Sequence, residues 1–352
     1  MNQREVYFQR NKSRRMNATM EDIARDAGVS ISTVSRVING YKGISEELRR
    51  RVEESICKYN YKPNAAARSL ITKRTDLIAV VQPNLENPIL AKVLKEIAKC
   101  CSDKGKTMIV CDYDSDNDKA IAALDSMREH NVDGVIFFGI YFTDELIERL
   151  SQFTCPVILV NQEIPGDEEE PLFTTVASDN YKRMCDATEF LIKDNHRRIA
   201  YIGGQKEDYS NGRLRLQGFL DTMEKYGLAV PESYVVQMDF SVEGGREGMR
   251  RIYEEASTLP TAVLCGSDMI AVGCIRYLQS MKLRVPEDIS VFGHDDSLQD
   301  IFEIKLSTVC SDNNGQIICD RLFAEQENNL KKEKIYYPYR LIRRQSTRRI
   351  SE

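Results

Sequence analysis

The stretch Thr19-Met-Glu-Asp-Ile-Ala-Arg-Asp-Ala-Gly-Val-Ser-Ile-Ser-Thr-Val-Ser-Arg-Val-Ile-Asn39 reads as two short helices joined by a tight turn. Ile23, Ala24 and Ala27 recur at helical spacing and give the first helix one apolar face. Gly28 lets the backbone turn sharply, and Ser30 is placed to cap the second helix, whose inner face is Val34, Val37 and Ile38. The outer face then carries Ser32, Thr33, Ser35 and Arg36, small polar groups with one guanidinium. That chemistry suits phosphates and base edges in a major groove.

A third helix is expected over Ser45 to Asn60, opened by Ser45 with Glu46 and Glu47 in its first turn. Leu48, Val52 and Ile56 form its packing stripe, Tyr61 covers the small core, and Pro63 closes the segment. Asn64-Ala-Ala-Ala-Arg-Ser-Leu70 follows as a helix-prone connection. Residues 1–76 contain 16 Lys and Arg against 9 Asp and Glu, a balance of +7, while the rest of the chain carries −12. A basic head on an acidic body is expected if only the head meets a polyanion. The first 17 residues are polar and basic; they offer sequence-independent attraction to phosphate, or precede a natural start at Met16.

From Thr75 the texture changes to alternating strands and helices. Apolar runs at Leu77–Val81, Thr107–Cys111, Gly134–Phe138 and Pro156–Val160 are separated by helical stretches. The pattern then repeats from Thr175, through Arg198–Gly204, Ala262–Cys265 and Ile289–Phe292. Such βαβ series predict parallel, doubly wound sheets in two similar halves facing a cleft.

The head resembles the DNA-reading domain of the lactose/galactose repressor family, through Asp22-Ile-Ala, Ala27-Gly-Val-Ser30, Thr33-Val-Ser-Arg-Val37 and Asn39. Further signatures are Asn87-Pro88, Ala187 to Ile192, His196 to Gly204, Pro286 to Val291, and Leu341-Ile342 with Arg344 to Thr347, so the resemblance spans about residues 18–350. It implies an all-α helix-turn-helix head joined to an α/β periplasmic-binding-protein-like effector domain of two doubly wound parallel-sheet subdomains. The expected divisions are a basic tail (1–17), the DNA-binding domain (18–63), a hinge (64–76) and an effector-binding and dimerisation domain (77–352).

By that resemblance Ile31, Ser32 and Arg36 read bases, while Thr19, Ser30, Thr33, Ser35 and Asn39 hold the phosphate backbone. Leu70 is expected to wedge into the minor groove from a hinge that becomes helical on DNA. In the cleft, Arg215, Asp295, Phe240 and Ser267 match positions that hold the effector, with Asn161 contributed by the first half. Duller readings stand beside these: Arg213 or Arg215 as helix-face ion pairs, Phe240 as core, and Asp296 rather than Asp295 facing the cleft.

Departures from the family pattern bear on the ligand. Ile89 and Leu90 stand where an aromatic pair is common, His294 replaces an aromatic, and Arg183 occupies a position that is often glycine. There is no Trp to stack on a sugar. The three histidines, His130, His196 and His294, are scattered, and Gly203-Gly204 and Gly244-Gly245 make no nucleotide fingerprint, so no catalytic residue, metal or cofactor is expected. The ten cysteines show no C-x-x-C pair, and no apolar run approaches a membrane span, which points to a reduced, cytoplasmic compartment without membrane contact. A free sugar-binding protein would need no residues 18–70. The expectation is therefore a homodimeric transcription regulator, a repressor, on a two-fold symmetric double-stranded operator, controlled by a small sugar-like effector. The alternative keeps DNA binding but places control with a protein co-regulator. No leucine heptad follows Arg348, so no C-terminal coiled coil is expected.

Overall fold

The computed structural model describes residues 18–38, 40–41, 43–61, 74–85, 88–166, 169–297, 305–311, 314–328 and 330–351. Asn39, the tail 1–17, the connection 62–73 with Leu70, and Asn87 lie outside them. The chain divides into two compact units between Thr75 and Asp76.

The first unit holds α1 (Met20–Ala27), α2 (Ile31–Ile38) and α3 (Glu46–Tyr59). Thr19 opens α1 with a reciprocal capping box: its hydroxyl accepts from the Asp22 N–H at 3.3 Å, and the Asp22 carboxylate accepts from the Thr19 N–H at 3.0 Å. Gly28 ends α1 at φ 63°, and an added Cβ there would lie 2.6 Å from the Arg51 guanidinium that donates to the Ala27 carbonyl. Ser30 caps α2, accepting from the Thr33 N–H at 3.2 Å. Ile23, Ala24, Ala27, Val34, Val37 and Val52 form the core, flanked by Ile38, Ile56 and Tyr61. Ser55 joins the buried face of α3 by donating to Asp26 at 2.7 Å.

The second unit contains two α/β subdomains. In the first, β1 (Leu77–Gln82), β2 (Thr107–Asp112), β3 (Gly134–Phe138) and β4 (Val157–Val160) alternate with α4 (Pro88–Asp103), α5 (Asn117–Glu129) and α6 (Asp144–Ser151). β5 (Thr174–Ala177) then pairs with β4 and joins this sheet, instead of opening the second half as its place in the repeat suggested. The second subdomain runs α7 (Asn180–Lys193), β6 (Ile199–Gly203), α8 (Leu214–Lys225), β7 (Val235–Gln237), α9 (Val242–Glu255), β8 (Ala262–Cys265), α10 (Asp268–Ser280) and β9 (Ser290–Phe292). β10 (Thr308–Ser311), α11 (Asn314–Glu327), β11 (Lys334–Tyr336) and β12 (Tyr339–Ile342) follow.

The first sheet has the order β11-β5-β4-β3-β1-β2 and the second β7-β6-β8-β9, all pairs parallel; β10 and β12 form an antiparallel ribbon. Apolar strands such as β3 and β8 are buried along their whole length, because helices cover both faces of each sheet. α11 packs into the first core through Ile318, Cys319, Leu322 and Phe323, whereas α7 packs into the second through Met184, Ala187 and Leu191. The chain therefore crosses between the subdomains three times: from β5 into α7, from β9 through β10 into α11, and from β11 into β12. All ten cysteines are thiols. No helix among the described residues is long and apolar enough to cross a membrane.

Candidate functional site

On the head, α2 turns one polar side to solvent. Ile31 is 45% exposed, and Ser32 and Arg36, one turn apart and about 6 Å along the axis, are exposed on one face. The exposed Arg36 guanidinium lies 5.8 Å from the ring centroid of the exposed Tyr41, a weak cation–π contact. Ser30, Ser32 and Thr33 share their hydroxyls, with Ser30 Oγ 2.7 Å from Ser32 Oγ and 2.9 Å from Thr33 Oγ1. Ser35 is half-buried. The Thr19 hydroxyl both accepts from the Asp22 backbone and donates to the Asp22 carboxylate at 2.8 Å. These bonds hold the Asp22 carboxyl below its ordinary pKa.

In the second unit the best-anchored candidate is Arg215, buried in the first turn of α8. Its Nε donates to Asn180 Oδ1 at 2.8 Å, Nη1 to the Gly266 carbonyl at 2.5 Å, and Nη2 to Asn211 Oδ1 at 3.1 Å. A five-residue π-turn, Tyr209–Arg213, precedes α8 and delivers Asn211, whose side chain is in turn held by Asp208. Arg213 is exposed and lies over Tyr209, so the two arginines of this segment have separate surroundings. Two positions of separation on helical backbone place the two side chains on opposite sides, which turns Arg215 inward and Arg213 outward.

Phe240 is 38% exposed and not core; its ring centroid is 5.8 Å from the Arg215 guanidinium. It also lies so close to the backbone after β6 that a Cβ at Gly204 would sit 2.4 Å from its ring. Asp295 has φ 96°, and its Oδ1 is 4.0 Å from Arg215 and 3.7 Å from Arg183. Asp296 is instead buried in a bidentate pair with Arg344, at 2.6 and 3.0 Å. Between the adjacent aspartates, then, Asp295 belongs to the Arg215 cluster and Asp296 to the packing of the C-terminal segment.

Ser267 is the N-cap of α10, its hydroxyl oxygen accepting from the Ile270 N–H at 3.2 Å. Asn161 adopts φ 58° beyond β4, donates its N–H to the Val176 carbonyl at 3.1 Å, and buries an Oδ1 that has no hydrogen-bond partner among the described residues. Leu90 is buried in the first core. His294 is fully buried, and neither ring nitrogen has a partner among the described residues. Burial first, then Arg215 and Arg183, push its pKa far down, so it is neutral.

Three participants are not singled out by the sequence pattern. Asn180, the first residue of α7, holds Arg215. Asn211 does so from the π-turn. Asp268 accepts from Thr308 Oγ1 at 2.9 Å and the Ser297 N–H at 2.6 Å, and burial, reinforced by Asp295, raises its pKa to about 7. The available signal was a polar pair one residue beyond an apolar strand, as in Ser267-Asp268 after Gly266, where ligand sites of open α/β sheets lie.

Comparison with known proteins matches residues 19–64 to "Bacterial regulatory proteins, lacI family" and residues 188–347 to "Periplasmic binding protein-like domain". Catabolite control protein A of Priestia megaterium is 33% identical over 282 residues, 80% of this chain and 83% of that protein. The HTH-type transcriptional repressor PurR of Proteus mirabilis is 35% identical over 79% of this chain and 80% of its own length. The ribose operon repressor of Escherichia coli is 34% identical over 79% and 83%. Among solved structures, the lac repressor dimer bound to operator and the anti-inducer ONPF superposes with a TM-score of 0.84 at 26% identity, covering 94% of this chain and 99% of that one. A complex of the transcriptional regulator CelR with cellobiose gives 0.70 at 27% identity, with coverage of 94% and 99%. This chain belongs to the lacI family of bacterial regulatory proteins.

Proposed function

We propose that the protein is a transcriptional repressor that binds a two-fold symmetric operator as a homodimer, and that a small effector between its two α/β subdomains controls operator affinity. The observation that carries this reading is the Arg215 cluster. A buried guanidinium, spread by Asn180, Asn211 and the Gly266 carbonyl, stands beside an exposed aromatic ring and a carboxylate, all around the carboxyl ends of β6, β8 and β9. A planar cation, an aromatic face and an acid suit a polar ring compound carrying hydroxyls. Similarity to the ribose operon repressor, and to CelR with bound cellobiose, supports the same class.

Arg215, Phe240 and Asp295 contact the effector in this reading; Ser267 orients α10 as much as it offers a hydroxyl, and Asn161 contributes from the first subdomain. Ile31, Ser32 and Arg36 read base edges. Thr19, Ser30, Thr33, Ser35 and Asn39 hold phosphates, with Thr19 also fixing the start of α1, and Leu70 wedges the minor groove.

Selection from a random duplex library at physiological salt, with and without pooled neutral sugars and nucleosides, tests the proposal. Enrichment of a two-fold symmetric site that the pool strengthens or weakens is the expected result. A symmetric site indifferent to the pool would move control to a protein co-regulator, and no enrichment would remove the operator.

A further inference from the structure

Arg183 lies where the three connections between the subdomains meet. It extends from the first turn of α7, and its Nη1 donates to Ser178 Oγ at 2.5 Å, on the connection that follows β5. Its Nη2 is 3.7 Å from Asp295 Oδ1, on the connection that follows β9. Its guanidinium is 5.8 Å from the ring of Tyr339, the first residue of β12, where the connection from β11 ends. The side chain is 2% exposed, and burial pushes its pKa down only to about 10, so it is charged at neutral pH.

That buried charge is underpaired. Arg183 and Arg215 approach the same Asp295 oxygen at 3.7 and 4.0 Å, both too long for hydrogen bonds. Among the described residues Arg183 Nε has no hydrogen-bond partner, nor has either ring nitrogen of neutral His294, whose Nε2 lies 3.8 Å from the same Asp295 oxygen. Asp296 is taken by Arg344, and Asp268 is raised toward its neutral form and bonded to Thr308 and Ser297. Two guanidiniums facing one loosely held carboxylate, with buried donors unsatisfied, leave positive charge in excess. Guanidinium pairs with open donors match the geometry of carboxylates and phosphates.

We infer that the effector carries an anionic oxygen group, a carboxylate or a phosphate ester, received by Arg183 and Arg215 beside Asp295. This rests on the cleft reading above and narrows it. The anion takes the guanidinium donors that Asp295 leaves unfilled, His294 adds a neutral hydrogen bond, and Asp295 turns to the ligand's hydroxyls. Because Arg183 also touches all three connections, filling its donors fixes the region about which the subdomains move.

Thermal unfolding of the full chain tests this with inorganic phosphate, gluconate, and a pool of neutral sugars and nucleosides, all against sodium chloride of equal ionic strength. One or both anions should raise the Tm saturably beyond chloride, and whichever acts identifies phosphate or carboxylate as the group. Arg183→Met should weaken that binding on the order of tenfold, Arg183→Lys should restore part of it, and the ligand-free Met variant should unfold no lower than the original, because an underpaired buried charge has been removed. Anion protection unchanged in Arg183→Met, or a ligand-free Tm that falls as for a structural ion pair, overturns the role of Arg183. Protection by the neutral pool but by neither anion overturns the inference and leaves the cleft reading standing. Protection by no compound of either class removes both.

Discussion

Gln162 Nε2 donates to Asp208 Oδ1 at 3.1 Å, and both side chains are buried. Gln162 follows β4 in the first subdomain; Asp208 caps the π-turn that carries Asn211 in the second. The neighbouring Glu163 N–H donates to Ser210 Oγ at 2.9 Å, so two hydrogen bonds bridge the subdomains at the segment that holds Arg215. Gln162→Ala leaves a buried carboxylate short of a donor and should cost about 1–3 kcal/mol. Hydrogen exchange of residues 159–165 and 205–214 should accelerate together; acceleration of one segment alone would show that the bridge does not couple them.

Arg36→Ala removes the one guanidinium on the exposed face of α2. Discrimination of the selected site from random duplex should fall by about 1–3 kcal/mol at each half-site, while effector affinity stays unchanged. Competition binding at fixed salt measures this, and an equal loss on random DNA would reassign Arg36 to the phosphate backbone.

The adjacent aspartates should separate in their phenotypes. Asp296→Ala strands the Arg344 guanidinium and should destabilise the second unit by about 3–5 kcal/mol, as seen in denaturant unfolding. Asp295→Ala should cost less stability, because its 3.7 and 4.0 Å approaches to Arg183 and Arg215 are too long for hydrogen bonds, and should abolish the effector's influence on operator affinity. The reverse pattern would exchange their roles.

Asp268 makes stability depend on pH in an unusual direction. In the unfolded chain an ordinary aspartate ionises near 3.8, whereas folded Asp268 holds its proton to about 7. Between those values the unfolded state binds fewer protons, so this group's contribution makes stability fall as pH rises, at up to about 1.4 kcal/mol per pH unit. Asp268→Asn should flatten that part of the Tm profile between pH 4 and 7. An identical slope in the variant would place the titration elsewhere.

The head is largely legible in the order of its residues. Helix periodicity, the caps at Thr19 and Ser30, and the glycine at Gly28 act between residues at most a few positions apart, so α1, α2 and their core follow from the succession of residue types. The alternation of strands and helices in the second unit is legible for the same reason. Arg215, Phe240 and Asp295 stand out by their match to a family pattern, and the fold brings those three together. Ser267 also caps α10, and Asn161 also bonds through its backbone to Val176, local contacts that a family pattern does not display.

Sequence alone determined the kind of element in the head and in most segments up to β9, and the inward and outward faces of the head. Tertiary structure decided which sheet each strand enters, since a short segment such as Thr174–Ala177 carries no local signal of the sheet it joins. It alone returned β11 to the first sheet and paired β12 with β10, across separations that leave no local periodicity to read. It also sorted Asp295 from Asp296 and Arg215 from Arg213, and brought Ser178, Arg183, Asp295 and Tyr339 to one place. The physical reason is common to all of these: propensity and capping are set by near neighbours, whereas burial, charge pairing and pKa depend on groups that only folding brings within a few ångströms.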